Sequence, residues 1–269
     1  MFTKLGLNTR TFGKTLGTAM VVAFSLSVPA GIYAQQNGKA GPPTPKASAV
    51  ADFTGYWVSL VTNSEQWLVR MASPVKGEMR GIPLNAEGRK LANAWDPAKD
   101  DGGDPCRAYG APAIMNVPGR LHITWENDST LRVDTDSGKQ TRLLHFTQQA
   151  ATLSAPALQG YSTANWDMEG GRGTEGGAGA GLRATASSLK VVTTNLLPGY
   201  LFKNGIPYSG SARITEYFNR IEEPDGNSFL LVEEILEDPQ FLTGPYVRSW
   251  YFKKLPDGKG WNPAECSPK

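Results

Sequence analysis

The sequence predicts an all-β fold, a single antiparallel β-barrel of about eight to ten strands with one short helix and long loops. Three observations carry this. Nine stretches (53–61, 66–71, 120–126, 129–135, 140–147, 188–195, 211–222, 227–237 and 246–254) are rich in Val, Ile, Thr and aromatics, with Gly, Pro, Asn or Asp at their ends. Only one segment has a helical signature. Strands and helices do not alternate, so a parallel α/β sheet is excluded. Closing the sheet removes exposed edges and can leave room inside for one small ligand.

The first 34 residues stand apart from the fold. Lys4, Arg10 and Lys14 form a basic start without an acid, and "GTAMVVAFSLSVPAGIYA" follows as a short apolar core ending in small residues. This predicts a secretory signal peptide cleaved after Ala34, and hence a periplasmic or secreted protein with no stable membrane insertion after cleavage. Without those three charges, the 27 Lys and Arg fall to 24 against 25 Asp and Glu, a net charge of −1. A near-neutral chain is not steered to nucleic acid or to an anionic membrane. Residues 35–51, "QQNGKAGPPTPKASAVA", read as a disordered Pro-rich leader, and 52–269 as the barrel domain.

Order begins at "DFTGYWVSLV". In "PLNAEGRKLANAWDP", Asn85 caps a helix whose Leu91 and Trp95 share a face, and Pro97 ends it. Residues 96–118 read as irregular. "ENDST" and "DSGK" then join three strands into a meander between 120 and 147. "GGRGTEGGAGAG", residues 170–181, lacks the flanking strand and helix of a phosphate cradle and reads as a loop. Cys106 and Cys266 are the only cysteines, and outside the cytoplasm such a pair predicts a disulfide. Closing so long a loop stabilises by at most about 5 kcal/mol of chain entropy.

The candidate chemistry lies on the strands. In "RLHITWE", alternation places His122, Thr124 and Glu126 on one face and Leu121, Ile123 and Trp125 on the other. The uniformly apolar alternate face favours an outward His122. In "TRLLHF", His145 shares a face with Leu143 and Thr147, and its facing stays open. Were they to line a pocket, His145, His122 and Tyr161 would handle protons, with Asp134 or Glu216 orienting or assisting. The two histidines are too far apart in sequence for metal-ligand spacing, so neither a metal nor any other cofactor is expected. "GYSTANW" lacks the second glycine of a nucleophile elbow.

Two acids interrupt apolar strands. Glu216 lies between Ile214 and Phe218 and is expected in a lumen, at a strand end leaving the core, or paired with Arg213 or Arg220. At least one of Glu233 and Glu234 is expected to point toward an interior or an interface. Among the many aromatics, Trp57, Trp125, Trp166, Tyr200, Trp250 and Tyr251 are the candidate ligand-binding side chains, suited to flat apolar compounds.

"FTGYW" carries the Gly-x-Trp pattern with which lipocalins open their first strand, so the barrel is expected to be lipocalin-like. The resemblance implies a late-strand cation over Trp57, and Arg248 in "VRSWYFKK" is the matching residue. The mature chain also resembles a group of secreted, largely uncharacterised bacterial proteins through "PLNAEGRKLANAWDP", "DPCRAYGAPAIM", "PGRLHITWE", "GYSTANWD", "LKVVTT" and "LEDPQFLTGPYV". Many members of that group carry histidine at the position of Tyr161, which implies that, if the position is catalytic, tyrosine here acts as acid or hydrogen-bond donor or the role has changed. No activity follows from the resemblance. Two main functions remain open: binding of a small hydrophobic or aromatic molecule, and a cofactor-independent lyase or isomerase using the barrel cavity. An interaction module is a third. Oligomeric state is not set by the sequence.

Overall fold

The computed structural model describes residues 42–60, 75–79, 81–100, 104–147, 155–167 and 188–267. The expected signal peptide, the predicted strand at 66–71 and the Gly-rich stretch at 170–181 lie outside the described residues. Nine strands close into a barrel: β1 (Gly55–Ser59), β2 (Arg120–Asn127), β3 (Thr130–Thr135), β4 (Thr141–His145), β5 (Tyr161–Asp167), β6 (Ser188–Thr194), β9 (Arg213–Glu222), β10 (Ser228–Glu237) and β11 (Tyr246–Leu255). A two-stranded hairpin, β7 (Gly199–Tyr200) and β8 (Pro207–Tyr208), stands beside them. Around the ring the order is β1–β11–β10–β9–β6–β5–β4–β3–β2, returning to β1.

The fold class is therefore the expected one, with one correction. All neighbours are antiparallel except β4 and β5, which run parallel, so the barrel is mixed. An up-and-down lipocalin barrel has eight strands joined in sequence. Here nine close the ring, and β9 follows β6 through an excursion that builds the β7–β8 hairpin. β5 itself, "YSTANWD", was not foreseen, because its polar Ser, Thr and Asn break the apolar pattern.

Asn85 caps α1 (Ala86–Ala94) by accepting from the Gly88 amide at 2.9 Å. The face it buries is not the expected one. Gly88 and Ala92 are buried, while Leu91 remains 40% exposed. Pro97 starts a further helix rather than ending the helical region: α2 (Pro97–Asp100) and α3 (Ala111–Ile114) both fall in the stretch read as irregular. Proline suits this first position because its missing N–H would have no helical partner there. Cys106 and Cys266 are disulfide-bonded, tying the C-terminal tail beside α3.

Strand alternation sorts the interior into three tiers. All nine barrel strands send apolar side chains into the central one, including Trp57, Ile123, Val133, Leu144, Ala164, Val191, Phe218, Val232 and Trp250. Above it lies a charged layer. On β9 the inward order is Ile214, Glu216, Phe218; on β10 it is Leu236, Glu234, Val232. The outer members of these triplets, Ile214 and Leu236, belong to a second apolar cluster with Leu84, Ala92, Ala111, Phe202, Ile206 and Tyr208. That cluster is the cap over one mouth.

The opposite end is closed by aromatic rings. Phe53 stacks on Trp166 at 6.2 Å and meets Phe218 edge-on at 6.4 Å, while Phe146 lies 5.1 Å from Trp166 and 5.5 Å from Trp125. The distal part of the Pro-rich leader is tied down here, with Trp166 Nε1 donating to the Pro45 carbonyl at 2.9 Å and the Lys46 amide to Asp128 at 3.1 Å. The lumen is thus filled by side chains, in contrast to the open hollow that barrel closure permits.

Candidate functional site

The charged layer is built from two buried ion pairs. Arg142, on β4, grips Glu216 with both terminal guanidinium nitrogens, at 2.9 and 2.5 Å. The same Arg142 reaches Thr193 Oγ1 at 3.2 Å, and Thr193 is hydrogen-bonded to Ser162 at 2.7 Å. Arg248 pairs with Glu234 and donates to the Pro112 carbonyl of α3 at 2.6 Å. Glu216 and Glu234 are register partners, so two carboxylates lie side by side out of water. Burial pushes Glu234 up to about 7 against the pull of Arg248, with Glu216 adding to the push.

Two expectations are corrected here. Glu216 pairs with Arg142, not with Arg213 or Arg220; Arg220 goes to Glu222 and the Asp52 carbonyl. Arg248 does not cover Trp57. Its guanidinium lies 4.9 Å from the Trp250 ring and 5.1 Å from Tyr246, and Lys254 Nζ is the cation over Trp57, at 5.4 Å. Of Glu233 and Glu234, Glu234 is the one that turns inward.

The two histidines are on the outer wall. His122 shares the face opposite Leu121 and Ile123, and its ring stacks on its cross-strand partner Tyr56 at 4.1 Å, with Trp261 edge-on at 5.9 Å. His145 faces away from Leu144, stacks on Tyr161 at 4.9 Å and has Thr130 Oγ1 at 3.4 Å from Nδ1. Burial lowers the His145 pKa. The Tyr161 hydroxyl is buried without a hydrogen-bond partner among the described residues. Asp134 stands across from His122 and accepts from Arg132 Nε at 2.8 Å and from Thr141 Oγ1 at 2.5 Å. The structure therefore brings His145 to Tyr161, sets Asp134 across from His122 on another part of the outer wall, and leaves Glu216 in the charged layer. Neither histidine lines the lumen.

A binding-sized cleft lies at the capped mouth. It has a volume of about 390 Å³ between the end of α1, Arg107 and the β7–β8 hairpin, and Leu91, Trp95, Arg107, Tyr200, Tyr208 and Phe241 are among its walls. It is more enclosed than the larger grooves of about 590 and 650 Å³ at Asp238–Pro245 and beside Lys46. Of the six aromatics expected to bind ligand, only Tyr200 lines it. Trp57 and Trp250 are core, Trp125 and Trp166 help close the far end, and Tyr251 is on the outer face, 40% exposed.

Asp100 organises this cleft. Asp96 accepts from the amides of Ala98 (side chain, 3.1 Å) and Asp100 (carbonyl, 3.0 Å), winding "DPAKD" into the single turn that carries Asp100 back toward Trp95. Asp100 Oδ2 accepts from Trp95 Nε1 at 2.8 Å, and Oδ1 accepts from Arg107 Nη1 at 2.8 Å and the Tyr200 hydroxyl at 3.1 Å. The Arg107 guanidinium also lies over the Tyr200 ring, 4.3 Å from its centre. Burial pushes Tyr200 up to about 12, with Arg107 pulling against it and Asp100 adding to the push. The hydroxyl thus stays a donor at neutral pH. Tyr208 is raised further, again chiefly by burial, and its hydroxyl has no hydrogen-bond partner among the described residues.

Glycine allows the rings to approach. Gly205 has φ +78°, and a Cβ there would come within 2.0 Å of the Trp95 ring; one at Gly110 would come within 2.0 Å of the Tyr208 hydroxyl. One sequence signal for the cleft was available. "GYLFKNGIPYSG" packs three glycines and three aromatics into residues 199–210, the mark of a ring-filled turn rather than a strand. Nothing in the sequence joins Asp100 and Arg107 to it.

The fold and its cleft define a closed mixed barrel, filled inside, with a preformed aromatic pocket at its rim. No family model matches the chain, and no match is found among curated proteins. Among the described residues, no helix is long and apolar enough to cross a membrane, and no group of three or more His, Cys, Asp or Glu is placed to hold a metal ion.

Proposed function

We propose that the protein binds a small, flat, apolar or aromatic molecule in the rim cleft and works outside the cytoplasm. The supporting observation is the cleft itself: about 390 Å³, walled by Trp95, Tyr200 and Tyr208, with its polar groups already fixed on one carboxylate. Few polar groups set in an apolar wall is the usual composition of a small-molecule site. The disulfide and the basic, apolar start of the chain support the compartment. The test is titration of the full chain with a panel of mono- and bicyclic aromatic compounds, read by tryptophan fluorescence and by mass spectrometry of the recovered compound. Saturable binding of an unchanged compound, weakened at least about tenfold by Trp95→Ala, is expected. Binding that Trp95→Ala leaves untouched would move the site elsewhere.

A second reading rests on the His145–Tyr161 stack with its unpartnered hydroxyl: cofactor-independent acid–base chemistry, as in a lyase or isomerase, at the outer wall. It requires that a compound be altered rather than returned, and that His145→Ala and Tyr161→Phe each abolish the change. Full turnover in both variants would end it.

A further inference from the structure

Among the side chains that line the cleft, hydrogen-bonding capacity is one-sided. Asp100 stands behind the lining as the acceptor on which its polar side chains converge, and both of its oxygens are engaged, by Trp95, Arg107 and Tyr200. What remains is donors. Arg107 uses Nη1 on Asp100 and, among the described residues, makes no side-chain hydrogen bond through Nε or Nη2, while its side chain is 39% exposed at the cleft. Those two nitrogens form one edge of the planar guanidinium, the edge that matches a pair of oxygens or a single carbonyl. Stacking on Tyr200 holds that plane in place. The Tyr208 hydroxyl, on a residue only 1% exposed, is buried without a partner among the described residues and is not presented to an incoming group.

An incoming group that is itself a donor would find no charged acceptor among the lining side chains and would lose its water. A hydrocarbon would leave the Arg107 edge covered and unpaired. We infer that the cleft selects an aromatic compound carrying a carbonyl-type oxygen, either a carboxylate or a neutral carbonyl, with the oxygen on the Arg107 edge and the ring against Trp95 and Tyr200. This rests on the cleft being the binding site.

The experiment compares three probes with the same ring and three-carbon arm: cinnamate, methyl cinnamate and propenylbenzene, titrated calorimetrically into the full chain. One or both oxygenated probes should bind about ten- to a hundredfold more tightly than propenylbenzene, as expected for a hydrogen bond to a charged donor. Cinnamate ahead of the ester, with affinity falling as salt is raised, identifies the carboxylate; the ester ahead identifies the neutral carbonyl. Arg107→Gln should reduce the preference, read as the ratio of oxygenated-probe to propenylbenzene affinity within the variant, to near unity. The wild-type comparison needs no variant, so a poorly folding Arg107→Gln does not remove the test. Equal binding of all three probes at a Trp95-dependent site would overturn the ligand class and leave the cleft reading standing. Binding of none would overturn both.

Discussion

Glu234→Gln removes one charge from the layer beneath the cap while keeping the side chain's shape. Glu234 is fully buried beside Glu216, and burial lifts its pKa from the usual 4.5 to about 7. Each tenfold gain in proton affinity is worth about 1.4 kcal/mol, so the lift corresponds to about 3 kcal/mol. Between those two values the folded chain holds a proton that the unfolded chain has released. Its contribution is therefore fully present below about pH 4.5 and is lost as pH rises through about 7. The variant is always neutral at this position and has no such loss. Urea unfolding of both proteins at about pH 5 and about pH 8 should show wild type losing about 2–3 kcal/mol relative to the variant. The difference between the proteins is the readout, because His145 acts in the opposite sense. Its lowered pKa gives stability that is lost as pH falls through the folded value. Parallel pH dependence in the two proteins would show that Glu234 stays ionised, and the layer would then be a pair of ordinary salt bridges.

Removing one partner of the better-bonded pair should cost more. Arg142→Ala strands Glu216 without its two guanidinium bonds and should destabilise by about 3–5 kcal/mol in the same urea assay at neutral pH. Reduction of Cys106–Cys266, which closes a loop of 160 positions, should lower stability by about 2–5 kcal/mol and lower the melting temperature measured by circular dichroism. Gly205→Ala forces a Cβ into the Trp95 ring at a left-handed backbone position and should destabilise by about 1–3 kcal/mol. It should also weaken cleft binding, whereas Gly244→Ala, where no atom lies within 4 Å of the new Cβ, should do neither.

What the sequence revealed and what it hid divide along local and non-local lines. The Asn85 cap, the β2–β3–β4 meander and the inward side of strands such as Leu121–Ile123 depend on residues a few positions apart, so spacing alone exposes them. The disulfide followed from there being two cysteines to pair. Partner identity was hidden. Glu216 meets an arginine 74 positions earlier in the chain, and alternation says only that both side chains point inward. His145 was ambiguous because Leu144 and Phe146 both point away from it and into the core, leaving an apolar neighbour on each side. The cleft was the least legible part. Its walls come from the end of α1, the turn after it and the β7–β8 hairpin, and no periodicity links segments that lack a regular period.

The filling of the lumen decides where a ligand can go. Nine strands make a wide ring, and a wide ring needs bulk inside it. Trp57, Trp250 and Phe218 supply that bulk in the apolar tier, and two arginines with their glutamates supply it in the next. A molecule entering from the capped mouth would first have to part Arg248 from Pro112 and Glu234, or Arg142 from Glu216. Breaking a buried pair costs about 3–5 kcal/mol before any new contact forms. The rim cleft asks for no such rupture, since the carboxylate behind its wall is already paired and its rings are already seated against glycine backbone. Charged pairs that would penalise a ligand in the lumen also fix the cap against the barrel through Arg248 and α3. The cap in turn carries Tyr208 and the floor of the cleft. The same buried charges thus close the interior and brace the cap for recognition outside it, so weakening Arg248 should loosen the cleft well before it opens the barrel.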